Sequence, residues 1–237
     1  MSNLLFPNQA SQKVSPIWVT EHGAADEGNF FIANNPTVGT PIATTTSVVD
    51  DAATASATHA QCYPVALLQN NWGATDPSQR VVYLKYLRML ISQVPSSAVT
   101  WNFAMRLDKN PSRLTTAASV ITPVNCNSNS NNASRLVVNF GALVCVAPTA
   151  SARLTSHGVV NSAVPVIYDQ WLFVFGSPSM PSAMLSGGNA AKFTNIPCGP
   201  ICIAPEWSLS LEMWGASNAA APSWEFELGF VERPQGQ

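Results

Sequence analysis

Charged side chains are scarce in this sequence. Asp, Glu, Lys and Arg make up 10% of its 237 residues, whereas a typical soluble domain carries about 25%. The 11 basic and 13 acidic residues nearly cancel and leave a formal net charge of -2. Such a chain has no strongly basic surface for nucleic acid or anionic lipid. Because 46% of the residues are hydrophobic, the composition also excludes a disordered chain and a highly charged coiled coil.

The scarcity of charge has two interpretations. A weakly charged surface is poorly suited to keeping a free protein in solution, so partner molecules are one explanation, since they would cover much of that surface. The other is an ordinary extracellular type of β domain, in which Ser and Thr occupy the exposed strand positions. Composition alone leaves both open.

Long hydrophobic runs are absent as well. No segment approaches the about 20 apolar residues that a membrane-spanning helix needs. Residues 1–7 contain no basic residue and only a three-residue apolar run, Leu4, Leu5 and Phe6, so they do not form a secretory signal. We therefore expect synthesis and folding in a cytoplasm, and neither a membrane nor nucleic acid among the partners.

Cysteine occurs at five scattered positions: Cys62, Cys126, Cys145, Cys198 and Cys202. An odd number without a tight framework is not typical of a disulfide-stabilised domain. An extended segment from Cys198 to Cys202 would span about 13 Å, too far for a disulfide, although a turn at Gly199-Pro200 would bring the two together. No histidine lies near them to complete a zinc site. We expect buried, reduced thiols, with no metal and no other cofactor.

Alternating apolar and polar residues predict an all-β protein. In segments 101–107, 207–213 and 224–230, bulky apolar residues occupy every second position, the pattern of a strand with one buried face. Segments 135–147 and 165–175 are more continuously apolar and indicate strands buried on both faces. Turn residues separate about eight or nine such strands after residue 62, a spacing typical of an antiparallel β-sandwich or jelly roll.

Two parts of the chain are harder to assign. Segment 80–92 places Val82, Tyr86 and Met89 on one helical face but is also rich in strand-forming residues; we favour a strand, because everything after it resembles strand. Residues 1–60 lack long periodic segments and are predicted to form an N-terminal arm and loops, with up to two short strands. Residues 61–237 are then one β-sandwich domain.

Catalytic signatures are missing. The sequence has no nucleophile-elbow, phosphate-loop or zinc-helix motif, and His22, His59 and His157 lie far apart. Glu225 and Glu227 would share a strand face about 7 Å apart, in the range of glycosidase carboxylates, but a solvated strand face is the simpler interpretation. The sequence predicts that the protein is not an enzyme.

Seven tryptophans suggest carbohydrate binding, since exposed aromatic rings stack on sugars. Trp101, Trp207 and Trp224 are in phase with the core residues of their strands and are predicted to be buried. Trp72, in the 70–73 loop, is the best remaining candidate. Its alternatives are a loop anchor and a subunit interface, where tryptophan is enriched.

Several segments together resemble virion structural proteins of tailed bacteriophages. They are YLKYLR (83–88), WNFAMRLD (101–108), ARL (152–154) with His157-Gly158, and EFELGFVER (225–233). The resemblance covers residues 62–233, and the closest functional type is a capsid cement, or decoration, protein. It implies a β-sandwich that assembles as homotrimers on the head, in contact with the major capsid protein of the same particle.

The sequence thus predicts a cement protein on the capsid surface that stabilises the head by bridging capsid subunits. Its predicted assembly residues are Leu4, Leu5, Phe6, Trp18 and Trp72. The apolar run ahead of Pro7 would need a pocket in a neighbour, or would pack on its own domain.

Other functional classes remain open at this stage. A tail- or fibre-associated protein that binds host glycans is the alternative. A jelly-roll major capsid protein of a small RNA virus usually has a basic arm, whereas Lys13 is the only Lys or Arg among the first 60 residues.

Overall fold

A computed structural model shows two mainly antiparallel sheets packed face to face. It describes residues 5–7, 14–16, 20–35, 37, 39–43, 64–93, 101–116, 119–161, 166–176, 193–214 and 223–234. The elements in these ranges are, in chain order, β1 (Leu5–Pro7), β2 (Val14–Pro16), α1 (Thr20–Asp26), β3 (Phe30–Asn34), β4 (Ile42–Ala43), β5 (Ala66–Asn70), β6 (Arg80–Gln93), β7 (Trp101–Asp108), β8 (Leu114–Thr116), β9 (Ser119–Ile121), β10 (Val124–Asn125), β11 (Leu136–Phe140), β12 (Val144–Cys145), β13 (Arg153–Asn161), β14 (Gln170–Phe175), β15 (Phe193–Cys198), β16 (Cys202–Ile203), β17 (Ser208–Trp214) and β18 (Ser223–Pro234). No helix in the described ranges has the length and hydropathy of a membrane span.

The strands form two large sheets and two small ribbons. The first sheet has the order β10-β3-β18-β6-β14-β15, with β4 beside β18 and β16 beside β6. The second has the order β13-β7-β17-β5-β11-β9. Strands β1 and β2 form one ribbon, and β8 and β12 form the other.

Strand pairing identifies the fold as a jelly roll. The eight principal strands are β3, β5, β6, β7, β13, β14, β17 and β18, and they pair from the outside inwards. The first pairs with the last, β3 with β18, followed by β5 with β17, β6 with β14 and β7 with β13. All four pairs are antiparallel, so the chain is one long hairpin rolled into two sheets, which is the jelly-roll topology. The predicted all-β antiparallel fold is confirmed.

The longest ladder joins β6 to β18 and contains a bulge. The pairing skips Lys85, since Gly229 lies opposite Tyr86 and Phe230 opposite Leu84. A bulge shifts the phase of a strand; even-numbered core positions before it give way to odd-numbered ones from Leu87 onwards. The two-residue period is broken there, which is why segment 80–92 also fits a helical pattern. The strand assignment is confirmed.

Aromatic rings fill the space between the sheets. Phe140 and Phe226 stack across the core with ring centroids 4.1 Å apart, and Trp171 lies 4.6 Å from Trp224 on the inner face of the first sheet. The alternate apolar residues of β18, from Trp224 to Phe230, are at most 2% exposed. They face the core as predicted, while Glu225 and Glu227 are half-buried on the other face.

The sandwich begins earlier in the chain than the composition indicates. Strands β3 and β4 both pair with β18 in the first sheet, although the division at residue 60 assigns them to the arm. Both are short and flanked by Asn, Pro or Gly, so their apolar residues do not produce a recognisable strand period.

Two central strands predicted from sequence differ in the structure. Segment 135–147 is two strands, β11 and β12, because the chain turns at Gly141, whose φ of 105° favours glycine. In segment 165–175, residues 166–169 form a turn and β14 starts at Gln170. Burial then alternates along β14, with Trp171, Phe173 and Phe175 facing the core, so this strand is not buried on both faces.

The outer face of the second sheet is buried too. Leu67 of β5 packs there against Leu143, Cys145 and Leu114 of the β8–β12 ribbon and its connection. The polar face of β17, which strand periodicity assigns to solvent, is therefore covered: Ser208, Ser210 and Glu212 are all buried.

Hydrogen bonds and ion pairs compensate the burial of Ser210 and Glu212. Arg106 Nε lies 3.1 Å from Glu212 Oε2, and Arg113 Nη1 donates to Ser210 Oγ at 3.3 Å. Arg113 Nε lies 3.6 Å from Asp108 Oδ2, and both side chains are fully buried. Charges placed so deeply are stable only when paired. The contacts of Arg113 with Asp108 and Ser210 therefore hold the beginning of the insertion, the segment between β7 and β13, against the second sheet.

Phe226→Ala should lower the free energy of unfolding by about 3–5 kcal/mol, because it removes one ring of the central stack. The matched control is Glu225→Gln on the opposite face of the strand, which should change it by no more than about 0.5 kcal/mol. Chemical denaturation of both variants measures the two changes. Equal stabilities for the two variants would contradict the core assignment of β18.

Gly229→Ala should destabilise the protein by about 1–3 kcal/mol through overpacking. A Cβ at this position would lie 2.3 Å from Cε1 of Tyr86, whose ring crosses the glycine. Gly73→Ala is the control, since a Cβ there meets no atom within 4 Å. Thermal melting should separate the two variants, and identical melting temperatures would contradict the close approach of Tyr86.

Candidate assembly site

The predicted arm anchor is only partly described. Leu4 and Trp18 lie outside the described residues. Leu5 and Phe6 lie in β1, where Leu5 is opposite Pro16 and Phe6 opposite Ser15. The arm therefore forms a two-stranded ribbon here. That the arm contacts a neighbouring subunit stays a prediction.

Trp72 is buried in its own subunit, at 8% exposure. Its Nε1 donates to Glu232 Oε2 at 3.4 Å, and the Arg135 guanidinium lies 4.3 Å from the ring centroid. Arg135 in turn forms an ion pair with Asp76 at 3.3 Å. These contacts match the loop-anchor alternative, because the ring has no open face for a sugar.

Glu232 is the fully buried centre of this cluster. Burial raises the pKa of its carboxyl group. Hydrogen bonds from Ser134 Oγ, at 2.5 Å, and from Trp72, together with the positive charge of Arg80, oppose this rise in the pKa only in part. The carboxyl group ties the end of β18 to the loops after β5 and before β11, so it has a structural role at this end of the jelly roll.

The raised pKa of Glu232 predicts a specific pH dependence. The unfolded state releases this proton at lower pH than the folded state, so the stability contributed by the protonated group is present below the unfolded pKa and is lost as the pH rises through the folded pKa. Glu232→Gln should remove this loss, which begins as the pH rises above the ordinary glutamate pKa of about 4. Ser134→Ala should enlarge it, since a hydrogen bond that lowers the pKa disappears. Urea titrations over a series of pH values measure the effect, and a Glu232→Gln profile parallel to that of the native protein would contradict it.

Glu225 and Glu227 make cross-strand contacts on the outer face of the first sheet. Arg88 Nη2 donates to Glu227 Oε2 at 2.5 Å, and Ser92 Oγ donates to Glu225 Oε1 at 3.2 Å. Burial raises the pKa of Tyr86, and the neighbouring Glu227 carboxylate raises it further. The pair therefore belongs to a hydrogen-bonded strand surface, as the simpler interpretation predicts.

In the described ranges, Cys126, Cys198 and Cys202 are free thiols. Burial raises the pKa of the Cys126, Cys198 and Cys202 thiols, so the unreactive protonated form predominates at neutral pH. Within the described residues, no three His, Cys, Asp or Glu side chains are grouped to hold a metal ion.

A cleft of about 550 Å³ opens at one edge of the sandwich. Strands β9 and β10 are the outermost strands of the second and first sheets at this edge. The lining residues are Ile32, Asn34, Asn35, Val120, Ile121, Thr122, Val124, Asn125 and Cys126. None of them is charged, and Val120 and Val124 are 62% and 67% exposed. We call this feature the edge cleft.

A second exposed apolar feature is the turn 166–169, which leads into β14. Ile167 is 45% exposed and Tyr168 64%. Tyr168 has a φ of 73°, a conformation that is rare for a bulky side chain. Hydrogen bonds hold the turn in place: Tyr168 N donates to Ile91 O at 2.8 Å, and Val166 N donates to Asp169 Oδ2 at 2.8 Å.

The comparisons with known proteins assign no family. No family model matches the sequence, and no curated protein matches it significantly. Among solved structures, the chain is similar to one described as the unassembled KI polyomavirus VP1 pentamer, over 88% of this chain and 93% of that one, with 11% identity and a TM-score of 0.25. Similarity at this level carries no conclusion about function, so the jelly-roll assignment rests on the strand pairing.

Sequence patterns point to neither the edge cleft nor the turn 166–169. Strand periodicity identifies residues that face a core, whereas Val120, Val124 and Tyr168 are exposed. The signal available in the sequence was the presence of bulky apolar residues in short segments flanked by turns. Such residues indicate a contact surface only when the structure shows that they are exposed.

Proposed function

We propose that this protein is a structural component of a virus particle. The observation that carries the proposal is the nested pairing of eight strands, since viral capsid proteins, lectins and cupins are among the main classes built on the jelly roll. This step is an analogy between folds. The contents of the sandwich and its surface distinguish the three classes.

The interior supports a structural role rather than an enzymatic one. An enzyme of this shape needs an open cavity with titratable groups. Here ten apolar residues, among them Phe140, Phe175 and Leu228, surround a cavity of about 10 Å³, room for at most one water molecule. Glu225 and Glu227 lie on the outer face of the first sheet and are hydrogen-bonded there.

The tryptophans argue against the glycan-binding alternative. Among those whose side chains the structure describes, Trp72, Trp171 and Trp224 are buried. Trp207 is half-buried, with the Arg153 guanidinium 5.2 Å from its ring centroid. A tail- or fibre-associated lectin would display such rings to solvent.

The finer proposal is a cement protein of a phage head. It would form homotrimers and bridge subunits of the major capsid protein. Its neutral, weakly charged surface supports this role, because burying such a surface against partners avoids the cost of removing water from unpaired charges. The predicted arm anchor at Leu4, Leu5, Phe6 and Trp18 would add apolar contact area in a neighbour.

Two measurements test this function. Mass spectrometry of purified particles should find the protein in fixed proportion to the major capsid protein, and its absence from particles would overturn the proposal. Particles assembled without it should still form but release their genome at a lower temperature if it is a cement protein. Failure to assemble any shell would instead assign it to the shell itself.

A further inference from the structure

We propose that copies of this chain bind head to tail, with the turn 166–169 of one copy seated in the edge cleft of the next. The inference rests on the proposed function for its setting, because shell components meet copies of themselves. The proposed function does not say which surfaces of two copies meet. The candidates are two exposed apolar features, the projecting turn 166–169 and the concave edge cleft.

These two features are separated by two strands of the first sheet. In the first sheet the cleft lies at β10 and β3, and the turn precedes β14, with β18 and β6 between them. Strands about 4.8 Å apart place β3 and β14 about 14 Å from each other, so the turn does not reach the cleft of its own copy. A contact between two different patches on identical chains is heterologous, and it produces rings when the rotation closes.

The chemistry of the two surfaces is complementary. The cleft has apolar walls and no charged residue. The side chains that would enter it, Ile167 and Tyr168, are also uncharged, so no charge has to be desolvated. Asp169 does not interfere, because it is buried and accepts a hydrogen bond from Val166 N within the turn. The phenol of Tyr168 can bond an amide such as that of Asn34, which is exposed.

The conformation of Tyr168 supports the same conclusion. Glycine adopts a φ of 73° without strain, and an exposed tyrosine contributes little to folding at this position. Its presence is explained if the ring is buried in a partner, since tyrosine is enriched among the residues that dominate binding energy. One tyrosine buries about 150–250 Å² of the about 800 Å² that each partner contributes to a standard interface. The ring would anchor an interface that also includes the strand edges around the cleft.

Disulfide trapping tests the contact directly, because Cys126 lies in the cleft. Full-length protein carrying Ile167→Cys, which keeps the Tyr168 ring, should form disulfide-linked oligomers under mild oxidation with diamide. Addition of Cys126→Ser should abolish the crosslink, while Cys202→Ser, which removes the other exposed thiol of the described residues, should not. No crosslink in Ile167→Cys, or one that persists without Cys126, overturns the proposed contact.

A second experiment uses the strained backbone. Tyr168→Gly should leave the melting temperature unchanged or raised, yet weaken self-association at least tenfold in analytical ultracentrifugation. Val124→Ser should weaken it similarly, and the double variant no more than either single change, as expected for two residues in one contact. Val146→Ser, an exposed valine elsewhere, is the control. Self-association of Tyr168→Gly at native strength would overturn the proposal.

The outcomes separate the contact from the function. If Tyr168→Gly enters particles normally and the cysteine variant forms no crosslink, the proposed function stands and the proposed contact is wrong. If the crosslink forms through Cys126 but the protein is absent from particles, the contact stands and the proposed function is wrong.

Discussion

The ladder between β6 and β18 is the contact on which the rest of the structure depends. It joins the third and the last of the eight jelly-roll strands, so it forms only after the chain has returned across most of its length. Its inner face supplies Phe226 and Trp224 to the aromatic core, and its outer face pairs Arg88 with Glu227. The other pairs of the first sheet flank this ladder. Pairing strands so far apart in the chain costs loop-closure entropy before any favourable contact forms. The packing of the aromatic core offsets this cost.

The insertion between β7 and β13 changes the character of the second sheet. Without it, β17 would be an ordinary strand with serines and a glutamate in water. Covered by the β8–β12 ribbon, these groups are buried, with Glu212 paired to Arg106 and Ser210 to Arg113. A buried polar network is costly when any member is unpaired, so it favours one position of the ribbon over others.

This distribution of surfaces suits a protein that functions by contact. The interior is filled, the acidic pair of β18 is hydrogen-bonded within the sheet, and the end around Glu232 and Trp72 is closed by the chain's own loops. What remains apolar and accessible in the described residues is mostly at the edges and turns. Outermost strands offer unpaired backbone groups to another chain, so these edges are accessible to a partner.

The sequence by itself determined the fold class and the orientation of the regular strands. A period of two with bulky residues on one face is a local property, so it correctly placed Phe226 inside and Glu225 outside. Tertiary structure decided the rest. The bulge opposite Gly229 reversed the phase of β6, the ribbon buried the polar face of β17, and Arg135 and Glu232 enclosed Trp72. Each outcome depends on which distant segment covers a surface, and that is settled by packing between segments far apart in the chain.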